Sequence, residues 1–336
     1  MTVRVCAVNV IGQATGEASP NRTASRFAVY ATDLGVLWDD GDDGVVVAFG
    51  DTYGAGWGGN GAGPPTADWR WNTLGRSTTS DLSRGLLLDE MVEDRPGHAG
   101  EIIPRDPAVA EHTVIPTSGI ADGGRQYLHY MSVRWWGRLT WRTNHGGIAY
   151  SDDGGQTWVR DPAARWVNTP RGRHPFQLGG FARHGAWVYL FGTPNGRRGA
   201  ISLARVAPAD VGDPAAYRYW TGSAWSPRVG QAVPVADGPA GELSAAYHGG
   251  LDRWLLVHLD EPRARIVLRS APEPTGPWSD GEVLVTGAEH PGLYGGFLHP
   301  WALDGSEIYF TMSQWGPYAV YLLRARLERY PPRDPR

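Results

Sequence analysis

Two aspartates, Asp33 and Asp51, are the residues whose type and spacing best suit chemistry. They lie in the stretch TDLGVLWDDGDDGVVVAFGDTYG, residues 32–54, where two apolar runs flank an acidic turn that contains glycine. Each is nine residues from Asp42, so a regular hairpin brings the two carboxyls together across its strands. Two close carboxyls repel each other, which raises one pKa and leaves an acid beside a base, as glycoside hydrolysis requires. The alternative is that both aspartates only accept backbone hydrogen bonds in turns.

The hairpin that carries these aspartates recurs in weaker form along the chain. Copies span residues 116–137, 177–196, 241–262 and 295–316, and each joins a short strand to a Tyr-, Val-, Leu- or Phe-rich strand through a polar turn. Further strands that end in tryptophan lie between the copies. The pattern predicts an all-β fold of five four-stranded units, a five-bladed β-propeller. A β-sandwich of two sheets is the alternative.

The boundaries of the repeats predict how the ring closes. We expect one domain over residues 1–336, with blades near residues 25–100, 110–170, 176–230, 240–280 and 292–325. The last unit contains only three strands, whereas residues 3–11 form a strand ahead of the first hairpin. The N-terminal strand is therefore expected to complete the last blade. The motif SDDGGQTW, residues 151–158, matches the Asp-box turn and is expected to be structural.

Aligning the copies predicts which side chains surround the two aspartates. In a propeller the innermost strands begin at one mouth of the central channel, and tryptophan faces in mouth-side loops can stack on sugars. The candidates for substrate binding or for adjusting the pKa values of the pair are Glu242, Gln177, Arg134, Trp141, Asn144, His145, Tyr294, His299 and Trp315. Glu242 is expected to raise the pKa of the general acid without belonging to the catalytic pair. The alternative is that these polar side chains only satisfy buried loop backbone.

Composition and motifs argue against several other classes of protein. The formal net charge is −4, which offers no basic surface for nucleic acid, and no apolar run approaches the roughly 18 residues of a membrane span. The histidines lack metal-ligand spacing, and phosphate-loop and dinucleotide motifs are missing, so neither a metal nor a cofactor is expected. Cys6 is the single cysteine, and the N-terminus shows no convincing signal peptide.

Several motifs together resemble one known family. They include TDLGV, FGDTYG, SVRWWG, WRTNHGGIAYSDDGGQTW, GELSAAYH, LYGGFLHPW and YFTMSQWGPYAVYLL, and the resemblance extends from about residue 25 to residue 325. The chain is similar to the family of domain of unknown function 4185, which is grouped among glycoside hydrolases as family 183, the endo-D-arabinanases. One departure is RLT after SVRWWG, where the family commonly has glycine.

The resemblance implies an endo-acting hydrolase of internal α-D-arabinofuranosyl linkages in D-arabinan, the polymer of mycobacterial arabinogalactan and lipoarabinomannan. The family's essential aspartates correspond to Asp33 and Asp51. We expect inversion, with Asp33 as the acid because the innermost strand should be drier. A monomer that acts outside the cell or at its envelope is also expected. The alternatives are a carbohydrate-binding propeller without catalysis and a hydrolase of another furanoside.

Overall fold

Short runs of β-branched and aromatic residues between glycine-containing turns form five separate antiparallel sheets of at least four strands each. The computed structural model describes residues 2–137 and 140–330. The five sheets are the blades of a five-bladed β-propeller, which confirms the predicted architecture and excludes the two-sheet sandwich. Within the described residues, no helix is long and apolar enough to cross a membrane.

The first part of the chain forms one strand ahead of the first hairpin and then two blades. The first strand is β1 (Thr2–Gln13). Blade 1 contains β2 (Ala31–Asp39), β3 (Val45–Tyr53), β4 (Trp69–Arg70), β5 (Thr73–Ser77) and β6 (Glu90–Met91). A small pair follows, β7 (Glu93–Arg95) and β8 (His98–Ala99). Blade 2 contains β9 (Thr113–Asp122), β10 (Arg125–Trp136), β11 (Trp141–Ser151) and β12 (Val159–Val167).

The remaining strands form blades 3 to 5. Blade 3 contains β13 (Leu178–His184), β14 (Trp187–Thr193), β15 (Gly199–Val206), β16 (Arg218–Trp220), β17 (Trp225–Ser226) and β18 (Pro234–Ala240). Blade 4 contains β19 (Leu243–His248), β20 (Arg253–Asp260), β21 (Arg265–Ala271) and β22 (Glu282–Thr286). Blade 5 contains β23 (Leu293–Leu298), β24 (Glu307–Gln314) and β25 (Ala319–Tyr330). Blades 3, 4 and 5 therefore extend beyond residues 230, 280 and 325, where the sequence analysis ended them.

Helices contribute little to the described part of the chain. One short α-helix, α1, spans Thr23–Phe27. The 3₁₀ turns are Leu82–Arg84, Pro107–Val109, Pro208–Asp210, Val229–Gln231 and Glu261–Arg263. They lie in the connections between strands.

The N-terminal strand closes the ring as predicted. β1 pairs antiparallel with β25, with Val3 opposite Arg329 at one end and Gln13 opposite Tyr321 at the other. It is thus the outermost strand of blade 5, whose order is β1-β25-β24-β23. Because this strand comes from the opposite terminus of the chain, the pairing ties the first and last blades together.

Hydroxyl groups join strands of neighbouring blades. Ser313 Oγ accepts the Leu34 backbone N–H at 2.8 Å, and Ser118 Oγ accepts that of Phe181 at 2.7 Å. Apolar side chains fill the middle of the ring, where a void of only about 10 Å³ is lined by residues that include Leu34, Leu178, Leu243 and Phe297. The channel therefore has two separate ends, and the mouth at the start of β2 carries the site described next.

The Asp-box motif has the structural role that the sequence predicts. Trp158 donates its indole N–H to the carbonyl of Gly155 at 2.9 Å, and its ring meets the edge of Trp38 in blade 1 at a centroid distance of 6.5 Å. Asp153 binds only within the turn. The motif thus fixes a turn between β11 and β12 and packs blade 2 against blade 1.

Candidate active site

The first hairpin brings Asp33 and Asp51 together across adjacent strands. Thr32 lies opposite Thr52, which is the register that equal spacing from Asp42 predicts. The regular pairing is interrupted next to this pair, because Asp33 faces both Gly50 and Asp51 in a bulge. Bulges re-aim side chains, and this one lies at the mouth of the channel.

Two local features of the backbone make room for the Asp33 carboxyl. A Cβ at Gly50 would lie 2.3 Å from Asp33 Oδ1, so only glycine fits beneath that oxygen atom. Leu34 and Gly35, which follow Asp33, have φ of 67° and 72°. A left-handed leucine is uncommon and costs conformational energy, and such strain concentrates at functional sites.

Two tyrosines from blade 5 hold one oxygen atom of Asp33. The hydroxyls of Tyr294 and Tyr318 both donate to Asp33 Oδ2, at 2.8 and 3.1 Å. Asp33 Oδ1 is buried and accepts no hydrogen bond from the described residues. Burial raises the pKa of Asp33 to about 7, although the two tyrosine hydroxyls favour the anion and act in the opposite direction.

Asp51 has a poorer set of donors. Its Oδ1 accepts the indole N–H of Trp69 at 2.8 Å. Burial, and then the negative charge of Asp33, raise the pKa of Asp51 well above its usual range, and the Trp69 hydrogen bond lowers it by less.

The hydrogen bonds favour a particular distribution of the proton in this pair. Asp33 accepts two donors that stabilise its anion, whereas Asp51 accepts one and also faces the charge of Asp33. Asp33 is therefore the carboxyl that ionises first, and Asp51 keeps its proton. These roles are the reverse of those expected from the sequence, where Asp33 is the acid. That expectation rests only on the dryness of the innermost strand, because the two tyrosines come from another blade.

Aromatic rings form a wall beside the two carboxyls. Tyr53 stacks on Trp69 at 5.8 Å and meets the edge of Tyr318 at 5.7 Å. Trp69 in turn meets Trp71 edge-on at 4.7 Å. Trp315 lies next to Tyr318 at 5.5 Å and is half exposed, as expected for a side chain that a ligand could cover.

The Gly-rich loop between β3 and β4 folds onto the same mouth. Gly61 donates its backbone N–H to the Gly316 carbonyl at 2.9 Å, and a Cβ at Gly61 would lie 2.7 Å from the indole nitrogen of Trp315. The indole of Trp57 donates to the Gly61 carbonyl at 2.9 Å. The loop is thereby held against Trp315.

Glu242 lies at the predicted mouth but does not face an open channel. Arg197 donates to both of its carboxylate oxygens, with Nη2 at 2.6 Å from Oε1 and Nε at 3.1 Å from Oε2. Arg197 Nη1 also reaches Glu261 at 2.8 Å. The charge of Glu242 raises the pKa of Asp33 and that of Arg197 lowers it, although both effects are smaller than burial.

Arg197 is the residue that links Glu242 to the acid pair. Its guanidinium carbon lies 5.4 Å from the ring centres of both Trp141 and Tyr294, and the Tyr294 hydroxyl binds Asp33. Trp141 thus joins the mouth, as does Tyr294. The sequence gives no signal for Arg197, because this residue lies between β14 and β15, outside the aligned hairpin ends.

Gln177 is placed near the mouth but serves the backbone. It is fully buried; its side-chain oxygen accepts the hydroxyl of Thr143 at 2.5 Å, and its nitrogen donates to the Trp166 carbonyl at 2.9 Å. These bonds join blades 2 and 3. The prediction that Gln177 contacts substrate therefore conflicts with its satisfied, buried position, and the structural alternative describes it better.

Three other candidates line a separate surface groove of blade 2. Arg134, Asn144 and His145 form part of its wall. Burial lowers the pKa of His145 to about 4, so this imidazole is neutral. The sequence predicts these residues at the mouth, because they lie close to the end of β10 and the start of β11.

His299 lies at the opposite end of the channel from the acid pair, which corrects its placement at the mouth. It follows Leu298, the last residue of β23, whereas Tyr294 is near the start of that strand. Its Nδ1 accepts the Trp301 backbone N–H at 3.3 Å, and burial lowers its pKa to about 4. Since β23 has six residues, its two ends belong to different faces of the ring.

The site also contains residues that carried no sequence signal. Tyr53 and Tyr318 approach from the ends of blades 1 and 5. Glu101 accepts the Trp71 backbone N–H at 3.2 Å, and burial raises its pKa to about 7. Across the described ranges, no group of three or more His, Cys, Asp or Glu side chains is arranged to hold a metal ion.

Comparison with protein families gives one match that covers most of the chain. The profile of the family described as domain of unknown function (DUF4185) matches residues 18–324. A related protein, notoamide biosynthesis cluster protein J of Aspergillus sp. (strain MF297-2), is 32% identical over 313 residues, covering 86% of this chain and 81% of that protein. Protein J′ of the corresponding cluster of Aspergillus versicolor is 31% identical over 308 residues, with 86% and 82% coverage.

Solved structures share the fold at low sequence identity. A putative hydrolase from Bacteroides ovatus has a TM-score of 0.62 and 13% identity, over 90% of this chain and 87% of that one. An arabinanase of Bacillus subtilis has a TM-score of 0.53 and 12% identity, over 87% and 94%. An α-L-arabinofuranosidase of Podospora anserina has a TM-score of 0.52 and 10% identity, over 96% and 95%. At these identities the likeness concerns the fold.

Proposed function

The chain belongs to the DUF4185 family, and from that membership and the paired aspartates we propose that it is a glycoside hydrolase. The observation that carries the proposal is the pair itself: two half-buried carboxyls on adjacent strands, both with raised pKa values, at the mouth of a propeller. A turn or a cap has no need of two such carboxyls. General acid–base cleavage of a glycosidic bond needs one protonated and one ionised carboxyl.

The proposed roles follow from the hydrogen bonds. Asp51 holds its proton and donates it to the departing glycosidic oxygen. Asp33 is ionised and takes a proton from the water that attacks the anomeric carbon. The water attacks the face of the anomeric carbon opposite the departing oxygen, so the product is inverted. Asp33 then releases its new proton to solvent and Asp51 takes one up, which restores both carboxyls.

The proposed substrate is D-arabinan, cut at internal α-D-arabinofuranosyl linkages. The support is the motif resemblance over the hairpin ends and the presence of an arabinanase and an arabinofuranosidase among proteins of this fold. The half-exposed ring of Trp315 and the Gly-rich loop that packs against it offer a surface for sugar rings. We further propose that the protein acts as a monomer, outside the cell or at its envelope.

Digestion of purified D-arabinan tests this proposal. The products are sized by chromatography over time, and an endo-acting enzyme releases intermediate oligosaccharides before small ones. Proton NMR of fresh digests reads the first-formed anomer, which is the β-furanose for an inverting enzyme. Polymer that stays intact while it binds would instead support a carbohydrate-binding propeller.

A second candidate function rests on the fungal relatives. Both are named as members of notoamide biosynthesis clusters and match more than four-fifths of this chain. Their names favour a substrate that is a small secondary metabolite rather than a polymer. Assays on short glycosides beside D-arabinan separate the two candidates, because a polysaccharide enzyme loses rate as the chain is shortened.

A further inference from the structure

The groove of blade 2 that contains Arg134, Asn144 and His145 is rich in unpaired positive charge. It has a volume of about 1130 Å³. That exceeds the range of about 300–1,000 Å³ that holds a single drug-sized ligand. Its wall includes Arg134, Arg142 and Arg165, and among the described residues that line it none is aspartate or glutamate.

The three arginines of the groove differ from arginines elsewhere in the propeller. Arg160 pairs with Glu111 at 2.8 Å, and Arg197 pairs with Glu242 at 2.6 Å. In the part of the chain that the structure describes, Arg134, Arg142 and Arg165 form no ion pair, and all three are exposed. Like charges that share one concave surface raise the local potential for an anion. The chain as a whole carries a formal charge of −4, so this potential is local.

An exposed aromatic ring lies beside these charges. Trp135 is 51% exposed and lies directly opposite Arg142 in the β10–β11 pairing. Its ring covers the backbone at Gly137, where a Cβ would be only 2.3 Å from the indole. Val167, which is 62% exposed, lines the same groove. A flat ring next to guanidinium groups suits a ligand with an apolar face and a negative group, which is the chemistry of an acidic sugar.

Contacts connect the groove to the mouth that holds the acid pair. Asn168, a lining residue, donates to Asn195 Oδ1 at 2.6 Å, and Asn195 donates to the Trp141 carbonyl at 2.7 Å. Arg142 follows Trp141 in β11, and the Trp141 ring lies 5.4 Å from the guanidinium of Arg197. These contacts place the groove next to Trp141, which borders the mouth.

We propose that this groove is a subsite for an anionic sugar unit of the polymer, held by Arg134, Arg142 and Arg165 and stacked on Trp135. The ligand class is a sugar that carries an oxyanion, either a uronate carboxylate or a phosphate ester. The inference rests on the proposed function in that the polymer cleaved at the mouth is the one that reaches the groove. The cleaved linkage itself can be neutral, with the charged unit farther along the chain.

Isothermal titration calorimetry tests the groove without any need for cleavage. The probes are trigalacturonate for the carboxylate, glucose 6-phosphate for the phosphate ester, and galactotriose as the neutral control. We expect at least one anionic probe to bind about tenfold more tightly than galactotriose, since charge-assisted hydrogen bonds to arginine add affinity. Whichever probe binds identifies the oxyanion.

Matched variants show whether binding occurs in the groove. Arg142→Gln and Trp135→Ala should each weaken the anionic probe by about fivefold to tenfold. Arg228→Gln, which removes an exposed arginine of blade 3, should keep the wild-type Kd. Equal affinity for galactotriose and both anionic probes would overturn the proposal. So would an equal loss in Arg228→Gln, because binding would then follow general surface charge. A protein that cleaves D-arabinan yet fails this test would lose the subsite and keep the proposed function.

Discussion

Two acidic segments of this propeller, the Asp-box turn and the first hairpin, place their carboxyls in opposite environments. In the Asp-box turn, Asp153 accepts the Thr157 backbone N–H at 2.9 Å, the Thr157 hydroxyl at 2.6 Å and the Ser151 hydroxyl at 2.7 Å. These donors lower its pKa to about 2. In the first hairpin, Asp33 and Asp51 are half-buried and accept few hydrogen bonds, and their pKa values are raised.

The contrast shows what separates a structural carboxyl from a reactive one on the same fold. The Asp-box turn surrounds its aspartate with local donors, so the anion stabilises the turn and has no affinity left for a proton. In the first hairpin, Asp33 Oδ2 accepts the hydroxyls of two tyrosines from blade 5, whereas Oδ1 accepts no hydrogen bond from the described residues. Because Asp33 and Asp51 have few hydrogen-bond donors and are shielded from water, their carboxyls can exchange protons near neutral pH.

Removing either carboxyl of the first hairpin should have the largest effect. Asp33→Asn and Asp51→Asn should each lower kcat on D-arabinan by about 10²–10⁴-fold, since each carries a separate proton transfer. The fold should remain, because asparagine has nearly the same shape. Circular dichroism and the melting temperature check the fold, and full activity in either variant would remove that aspartate from the mechanism.

The leaving group distinguishes the two roles. An arabinan oligosaccharide with a p-nitrophenyl leaving group needs little protonation, so Asp51→Asn should recover most of its rate on it. Asp33→Asn should stay slow on the same substrate because the attacking water still lacks its base. Recovery by Asp33→Asn alone would reverse the assignment.

The raised pKa values predict the pH dependence of kcat/KM. Asp33 must be ionised and its pKa is about 7, so activity should rise about tenfold per pH unit below that value. Asp51 must be protonated, so activity should fall again once the pH passes its higher pKa. A profile with its acid limb near pH 4 would mean that the pair behaves like ordinary exposed aspartates.

The Arg197–Glu242 pair should move this acid limb in a predictable direction. Glu242→Gln removes a charge that raises the Asp33 pKa, so the limb should shift to lower pH, and Arg197→Gln should shift it to higher pH. Both shifts should be smaller than the roughly 1–3 units of a directly contacting charge. Arg160→Gln breaks the comparable Arg160–Glu111 bridge and serves as the control, since it should cost stability without moving the limb.

Asp33 and Asp153 should contribute to the pH dependence of stability with opposite signs. Asp33 binds its proton more tightly when folded, so its contribution is fully present below about pH 4, the ordinary pKa of an aspartate, and is lost as the pH rises from there through about 7. The free energy of unfolding should therefore fall from pH 5 to pH 8, by up to roughly 1.4 kcal/mol per unit of raised pKa. Asp33→Asn should flatten this part of the curve of melting temperature against pH. A wild-type curve that rises from pH 5 to pH 8 would contradict the raised pKa values.

The smallest effect is expected at the Asp-box turn. Asp153→Asn keeps one acceptor but loses the charge, so the free energy of unfolding should fall by less than about 1 kcal/mol, as for an exposed hydrogen-bonded site. Its contribution at neutral pH is lost only below about pH 4, because its pKa is lowered on folding. Activity on D-arabinan should equal that of the wild type. A large loss of activity would mean that Asp153 is not purely structural, and the contrast with Asp33 and Asp51 would fail.

The parts of the fold that the sequence predicts are those governed by local geometry. The register of the first hairpin follows from equal strand lengths around Asp42, and strand β1 was recognised because the last unit lacked a partner. Residues that reach the site from other blades, such as Tyr318 and Arg197, have no local signature. Their positions depend on the closed ring, which brings together side chains 285 and 164 positions from Asp33 along the chain.

Weak repeats also limit how finely positions can be aligned. The repeat pattern starts the copy in blade 2 at residue 116, whereas β9 begins at Thr113, so the mouth-side end of this strand lies earlier in the chain than the alignment predicts. In blade 5, His299 follows a strand of only six residues and emerges at the far face. A shift of a few residues does not change the fold, but it changes which side chains face the substrate.

The most direct test of the account is a ¹³C NMR titration of the aspartate carboxyl carbons. Signals are assigned from Asp33→Asn, Asp51→Asn and Asp153→Asn variants of the labelled protein. The account predicts that Asp33 titrates near pH 7, that Asp51 keeps its proton to higher pH, and that Asp153 stays ionised to about pH 2. If Asp33 and Asp51 both titrate near pH 4, the two carboxyls are ordinary anions at neutral pH, and the proposed acid–base pair is wrong.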